Sequence, residues 1–432
     1  MSLEWISLIL IGGLGLLLAA GQEIFVGIGI IASIGLLFFV DKPVTQLAFS
    51  AWEIGSMYTL APLPLFVFMG ALLGSTGVVR GLFSGADKLF GRLPGGIACS
   101  VIAANAVFGA MCGSSIAATA TFGKITFPEM ERLGYEPKLA LGSLIAGGLL
   151  SILIPPSFVL LVYGGWLNLS IARLFAAGMI PGIVLTLLFM ATVIILVKLN
   201  PRLAPRAVAV KRGEKIIALK EILPFLILIF LILGVIFLGV MTPTESSALG
   251  AFLTIVLAIV YRKMTFRAFK EAATSSVTIT VMVVFVMFVA RVLGLVFHHL
   301  GVTEAFSAYM LNLPLGKYEM FALICVLYIF LGCLLDSTSM LVLTAPFVTP
   351  LIIQLGFDPI WFGVIWVILA EIGLVTPPFG MSLFALHGVI PKYSIITIFR
   401  GSIIFLVPMF LLVVLLVLYP NLALWFPALL FR

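Results

Sequence analysis

The sequence predicts an all-α polytopic membrane protein built from two inverted-topology repeats, each with five spans and one re-entrant helical hairpin. Three observations carry this reading. With 63% hydrophobic and 9% charged residues and a mean hydropathy of +1.31, the chain lacks the charge that covers a soluble globule. Its landmarks recur at a constant offset of 222 residues, the mark of a two-repeat architecture. Its basic residues are distributed differently between corresponding loops, as expected of halves facing opposite sides of a bilayer.

The repeat is anchored on 109–157, where an apolar segment is broken at Gly113-Ser114-Ser115, returns, turns, and leads into a second apolar segment broken at Pro155-Pro156. Advanced by 222, Ser114-Ser115 falls on Asp336-Ser337, Pro128 on Pro350, and Pro155-Pro156 on Pro377-Pro378. Leu133-Gly134-Tyr135-Glu136-Pro137 falls on Leu355-Gly356-Phe357-Asp358-Pro359, and far upstream Glu23 falls on Glu245.

The first repeat is assigned to 1–200. Spans at 3–20 and 24–40 are joined by Gly21-Gln22-Glu23; Glu4, with no Lys or Arg before the apolar run, argues for a first span and against a cleaved signal peptide. Residues 41–59 are too polar to cross and alternate apolar with polar positions, which predicts an interfacial amphipathic helix. A span at 60–79 and a basic loop around Arg80, Lys88 and Arg92 lead to 97–128. Each half of that segment is shorter than the roughly 20 residues of a full crossing, so the Gly-Ser-Ser break predicts a hairpin returning to its own side. A span at 138–168, broken at Pro155-Pro156, and one at 174–197 follow.

Residues 201–223 are read as a linker, and the loop 198–223 carries Lys198, Arg202, Arg206, Lys211, Arg212, Lys215 and Lys220, which places it in the cytoplasm. The second repeat, 224–432, follows the same plan: spans at 224–241 and 246–261, an amphipathic stretch with Arg262, Lys263, Arg267 and Lys270, and a span at 275–297. A hairpin at 319–350, a span at 360–388 broken at Pro377-Pro378, and a last span at 395–419 complete it.

Five crossings is an odd number, so the repeats must be inverted. The basic stretch 262–270 against its nearly neutral counterpart 41–59 agrees, and both termini come out periplasmic. The net charge of +7 is thereby explained by orientation in a lipid bilayer, without nucleic acid. Cys99, Cys112, Cys325 and Cys333 lie in apolar segments with no CxxC pair and read as packing residues.

Broken helices are costly in lipid, so they occur where protein or a water-filled cavity satisfies the freed backbone. Two tips entering from opposite faces, each beside a proline-broken span, would bring free helix ends together near the midplane. Helix N-termini attract anions, and unwound carbonyls with Ser and Thr hydroxyls coordinate a hard cation such as sodium, which predicts an anion site between two cation sites. The plainer role for Ser114 and Asp336 is to cap the second arm of each hairpin. Asp336 is the sharpest single candidate, since a mid-membrane carboxylate costs about 2.5–3.5 kcal/mol by insertion scales; Glu371, just before the second break, is the next. Arg291 is read as snorkelling to the interface, His387 as a satisfied packing residue, and Glu23 and Glu245 as helix caps. No GxxxxGK[ST] motif and no nucleophile, base and metal cluster is present, so an ion gradient is the expected energy source, and the hydroxyl-rich tips favour sodium over a proton relay.

At these motifs the chain resembles the large membrane subunit of TRAP (tripartite ATP-independent periplasmic) transporters. The likeness rests on GAMCGSSIAATATFG with FPEMERLGYEP, on ILIPPS with LVYGG, and on GCLLDSTSMLVLTAPFVTP with LGFDP and EIGLVTPPFG, and it covers nearly the whole chain. It implies an elevator in a bacterial inner membrane: a fixed scaffold, and a transport domain carrying both hairpins that slides under sodium power. It also implies a small four-helix membrane subunit, expected as a separate polypeptide, and a soluble periplasmic substrate-binding protein that delivers an organic acid such as a C4-dicarboxylate or sialic acid.

By position, the resemblance implies a first sodium site at Gly113, Ser114 and Ser115 with the backbone at Pro155 to Ser157. It implies a second at Asp336, Ser337 and Ser339 with Thr376 to Gly380. The substrate carboxylate would lie between the tips, against Ser114, Ser115, Pro156, Asp336, Ser337 and Pro378. Many members carry Asn where this chain has Leu369. Two other readings stay open: a standalone sodium:carboxylate or oxyanion transporter that needs no binding protein, and an integral-membrane enzyme acting on a lipid-linked substrate, which would need an acid, base or metal cluster at one membrane face.

Overall fold

A computed structural model describes residues 9–10, 12–17, 20–40, 43–205 and 212–431. Half of the span read at 3–20, Asp41 and Lys42, and 206–211 of the basic loop lie outside the described residues. All described regular structure is helical, and seven helices are long and apolar enough to cross a membrane.

The first half runs α1 (Ile24–Phe39), α2 (Pro43–Gly55), α3 (Pro62–Thr76), α4 (Val79–Phe90), α5 (Gly96–Cys112), α6 (Ser115–Arg132), α7 (Pro137–Leu149), α8 (Phe158–Trp166) and α9 (Ile171–Leu199). The second runs α10 (Arg212–Phe237), α11 (Pro243–Val260), α12 (Phe266–His299), α13 (Val302–Leu311), α14 (Lys317–Gly332), α15 (Ser337–Gln354), α16 (Pro359–Val375), α17 (Met381–Val389), α18 (Ile395–Ser402), α19 (Leu406–Leu418) and α20 (Asn421–Leu430). From α5 onward the element order recurs at the 222 spacing: α6 and α15 start at Ser115 and Ser337, and α7 and α16 start at Pro137 and Pro359. Both proline pairs contain cis peptide bonds.

Several boundaries differ from the sequence expectation, each for a local reason. From Phe266 on, the amphipathic stretch 262–270 and the span after it form one helix, α12, because no proline or glycine separates them; in the first half Pro62 and Pro64 follow a 3-10 turn at Tyr58–Leu60 that parts α2 from α3. Helix α10 begins at Arg212, inside the predicted linker, where Glu221 pairs with Lys88 at 2.6 Å. The basic loop after Thr76 contains α4. The hairpin arms α5, α6, α14 and α15 have 17, 18, 16 and 18 residues, longer than expected, because α6 continues through Pro128 and α15 through Pro350.

The two broken spans form the core. Every residue of α16 from Trp361 to Val375 and every residue of α7 from Leu139 to Leu149 is buried, as expected of helices apolar all round. The outer helices instead expose apolar side chains such as Phe230 (71%) and Val407 (62%), as a lipid-facing surface does. Helix α12 lies along α1 and α3, α7 packs on α5, α6 and α18, and α16 on α14. The guanidinium of Arg291 in α12 makes a two-point ion pair with Glu53 of α2, at 2.9 and 2.6 Å, fixing the amphipathic helix to the long one. Glu245 completes a capping box with Thr242, whereas Glu23 sits at the N-cap of α1 with no side-chain cap bond. His387 Nδ1 meets the Tyr393 carbonyl oxygen at 2.9 Å, and all four cysteines are free.

Close approach of α7 and α18 depends on glycine, since a Cβ on Gly142 would collide with the Gly401 carbonyl oxygen. Gly142→Ala is expected to lower stability by about 1–3 kcal/mol. Gly234→Ala, where a Cβ meets nothing within 4 Å, is expected to stay within about 0.5 kcal/mol. Thermal unfolding of the purified variants in detergent measures both.

Candidate functional site

The first tip is set by glycine and serine chemistry. Helix α5 ends at Gly113, whose φ of +64° is left-handed, and a Cβ there would come within 3.2 Å of the Phe158 backbone nitrogen. The chain then extends through Ser114, whose hydroxyl accepts from Ala117 N–H at 3.3 Å and caps α6. Ser115 is buried, and its hydroxyl donates to Glu371 Oε1 of α16. At the second tip Asp336 caps α15 through one oxygen, Oδ2, which accepts from Thr338 N–H at 2.9 Å and Ser339 N–H at 3.1 Å.

The two breaks differ. At the first, Leu150–Ile152 tightens to a 3-10 turn, and Pro155, Pro156 and Ser157 are all buried. Ser157 Oγ donates to the Ile152 carbonyl and accepts from Leu160 N–H at 3.3 Å, capping α8. At the second, Thr376 turns its hydroxyl back onto the Ile372 carbonyl at 2.7 Å, and Pro377, Pro378 and Phe379 are exposed. Gly380, at φ +54°, then admits α17.

One cavity of about 410 Å³ gathers these ends. All four helices that restart after an interruption contribute their first residues to its wall: Ser115 of α6, Phe158 of α8, Ser337 of α15 and Met381 of α17. Ser114 and Asp336 line it as well. Gly113, Pro155, Pro156, Ser157, Ser339, Thr376, Pro378 and Gly380 do not line it and shape the turns behind it. The facing wall, unanticipated from the sequence, comes from Gly70, Ala71, Gly74 and Ser75 of α3 and Glu271, Ser275 and Ile279 of α12. Their signal was a run of small residues in α3 and an acidic residue in an otherwise basic stretch, neither distinctive by itself. Among the described residues no Lys or Arg borders the cavity, while Asp336 and Glu271 do, the latter paired with Arg267 at 2.8 Å.

The donors around the first tip are oxygens. Glu371 Oε2, Thr119 Oγ1 and Ser151 Oγ are buried without a hydrogen-bond partner. A Cβ on Gly148 of α7 would lie 3.1 Å from the Ser115 carbonyl oxygen and would collide with Thr119 Oγ1, so both oxygens rest against the α7 backbone. Unpaired buried oxygens of carboxylate and hydroxyl type, beside a helix carbonyl, fit a hard cation such as sodium. Among the described residues no group of three or more His, Cys, Asp or Glu forms a transition-metal site.

The chain matches the family model described as the tripartite ATP-independent periplasmic transporter, DctM component, over residues 11–422. It is 31% identical over 363 residues to the C4-dicarboxylate TRAP transporter large permease protein DctM of Pseudomonas aeruginosa, covering 84% of each chain. It is also 31% identical over 425 residues to the sialic acid TRAP transporter large permease protein SiaM of Vibrio cholerae, covering 97% of each. Among solved structures, the Alcanivorax borkumensis YdaH transporter superposes with a TM-score of 0.61 over 89% of this chain and 90% of that one, at 14% identity, a likeness of fold. A multi-pass helical membrane protein, this chain belongs to the tripartite ATP-independent periplasmic transporter family as its DctM component.

Proposed function

We propose that this chain is the large permease subunit of a sodium-gradient-driven importer in a bacterial inner membrane, moving an organic acid of the C4-dicarboxylate or sialic acid type by an elevator mechanism. The observation that carries this reading is the convergence of four helix N-termini on one cavity. N-termini favour an anion by dipole and by free N–H groups, and about 410 Å³ lies in the roughly 300–1,000 Å³ range of small-molecule sites.

The sign of the lining charge gives the coupling its physical basis. Asp336 repels an acid with no Lys or Arg on the described wall to offset it, while Glu271 is paired with Arg267 at 2.8 Å. An acid therefore binds well only when cations occupy the oxygen-rich tips, and by linkage the acid raises cation affinity equally. Sodium is co-transported cargo, held at the first tip by Ser114, Ser115 and nearby oxygens and at the second by Asp336 and its neighbours.

The seam between the tip-and-break elements and the α3/α12 wall supports sliding of one group past the other. The α3 wall is built of small residues that offer little to interlock. A periplasmic binding protein would deliver the acid and a small membrane subunit would brace the scaffold; the relatives are named large permease proteins of TRAP transporters, which supports a multi-part assembly.

In proteoliposomes holding the chain with its small subunit, uptake of labelled acid is expected to need both an inward sodium gradient and the binding protein. Uptake with sodium alone would move the reading to a standalone carboxylate transporter, and indifference to sodium would remove the cation sites. Asp336→Asn is expected to lower sodium-driven uptake by about 10- to 100-fold; uptake within twofold of wild type would remove Asp336 from the second site. Gly74→Phe, where a Cβ meets only Thr121 Oγ1 at 3.7 Å and Phe108 Cζ at 4.0 Å, is expected to fold and to abolish uptake by filling the cavity. Measured thermal stability and uptake of this variant separate the two effects.

A further inference from the structure

We propose that Glu371 supplies the negative charge of the cation site at the first hairpin tip, reaching it from the opposite half of the chain. The inference rests on the sodium-coupled reading above and assigns that site a ligand the repeat pattern does not provide.

Glu371 lies near the end of α16 and is 1% exposed. Its Oε1 accepts from the Ser115 hydroxyl at the start of α6. Its Oε2 is buried with no hydrogen-bond partner, and none of the ion pairs among the described residues includes it. A carboxyl in such surroundings is neutralised by a proton or by a positive partner, because burial of an uncompensated charge is among the costliest things a fold can contain. Oxygen donors lie close by: Thr119, one turn further along α6, has a buried hydroxyl without a partner, and the Ser115 carbonyl rests on the α7 backbone beside it.

The comparison between halves sharpens the assignment. The second tip carries its own carboxylate, Asp336, at the N-cap of α15. The corresponding cap of α6 is Ser114, which is neutral. Conversely, the position in α7 that corresponds to Glu371 is Leu149, so nothing acidic projects from the first broken span. With Glu371 crossing over to Ser115, each tip has one carboxylate, and each can neutralise one monovalent cation.

This arrangement has a mechanical consequence. The cation at the first tip would be held jointly by α6 of the first half and α16 of the second, so its arrival fastens the hairpin to the second broken span. Such a joint lets the two hairpins travel as one body.

The test uses the purified full chain in detergent, with thermal unfolding followed as sodium chloride replaces choline chloride at constant ionic strength. Wild type is expected to show saturable stabilisation by sodium. Glu371→Gln, which keeps size and removes charge, is expected to raise the half-saturating sodium concentration by about 10- to 100-fold. Glu371→Asp, which keeps charge but withdraws it by one methylene, is expected to shift it less in the same direction, and it decides the question if the Gln variant does not fold. Half-saturation at the wild-type sodium concentration in the folded variants would overturn the inference while leaving sodium coupling intact. A wild type that sodium does not stabilise beyond choline would overturn the inference together with the sodium-coupled reading.

Discussion

A helix that stops inside an apolar slab leaves backbone N–H and C=O groups that lipid cannot satisfy, and this molecule stops helices there four times. The rest of the structure follows from meeting that demand. Ser114, Ser157 and Asp336 cap the restarting helices with side-chain oxygens, and Gly380 admits the fourth without one. Capping leaves oxygen valence over: both cap bonds of Asp336 fall on Oδ2, and a hydroxyl accepting one N–H still has a lone pair. Capping thus leaves lone pairs on the same atoms for the cargo proposed above. Burial of α7 and α16 on all sides encloses the helix that leads into each break.

The two halves share a plan but not a charge pattern or an environment. The first break is fully buried, while Pro377, Pro378 and Phe379 of the second are exposed. The first half separates α2 from α3, whereas the second joins the equivalent segments into α12, a helix of 34 residues. Ion pairing tracks these differences. Glu53 of the short helix meets Arg291 of the long one, and Glu131 at the end of the first hairpin meets Lys392 and Tyr393 beyond α17, at 2.6 and 2.9 Å. Contacts of this kind couple halves that a strict repeat would leave equivalent.

What the sequence made legible was whatever local chemistry enforces. The tips at Gly113-Ser114-Ser115 and Asp336-Ser337, the proline breaks and the start of each core helix could be placed because glycine, proline and capping residues act on the backbone at their own position. Helix ends inside apolar runs were less legible: Pro128 and Pro350 looked like stops, yet α6 and α15 continue through them because packing on neighbouring helices compensates for the lost backbone bond. Least legible were relations across the chain. Nothing in the spacing of Glu371 announces Ser115, which is 256 residues away. The α3 and α12 wall was missed for the same reason, since Gly70, Gly74 and Glu271 become part of a cavity only through packing.

The lining of that cavity ties these threads together. A site for an acid made from Lys or Arg would hold its ligand whether or not a second ion were present, and a carrier so built would leak its gradient. Here the wall carries Asp336 and a Glu271 already paired with Arg267, so under the proposed reading attraction for an acid would come from helix dipoles and from mobile cations. Dipole stabilisation at a helix end is modest, about 0.3–1 kcal/mol where exposed and up to about 2 kcal/mol where partly buried. On the proposed reading cation occupancy would then be the larger contribution to acid affinity, and affinity that depends on a co-bound ion is what coupling requires. An acidic group in a site for acids, a mismatch if read one residue at a time, would in that case be the physical basis by which an ion gradient drives the ligand.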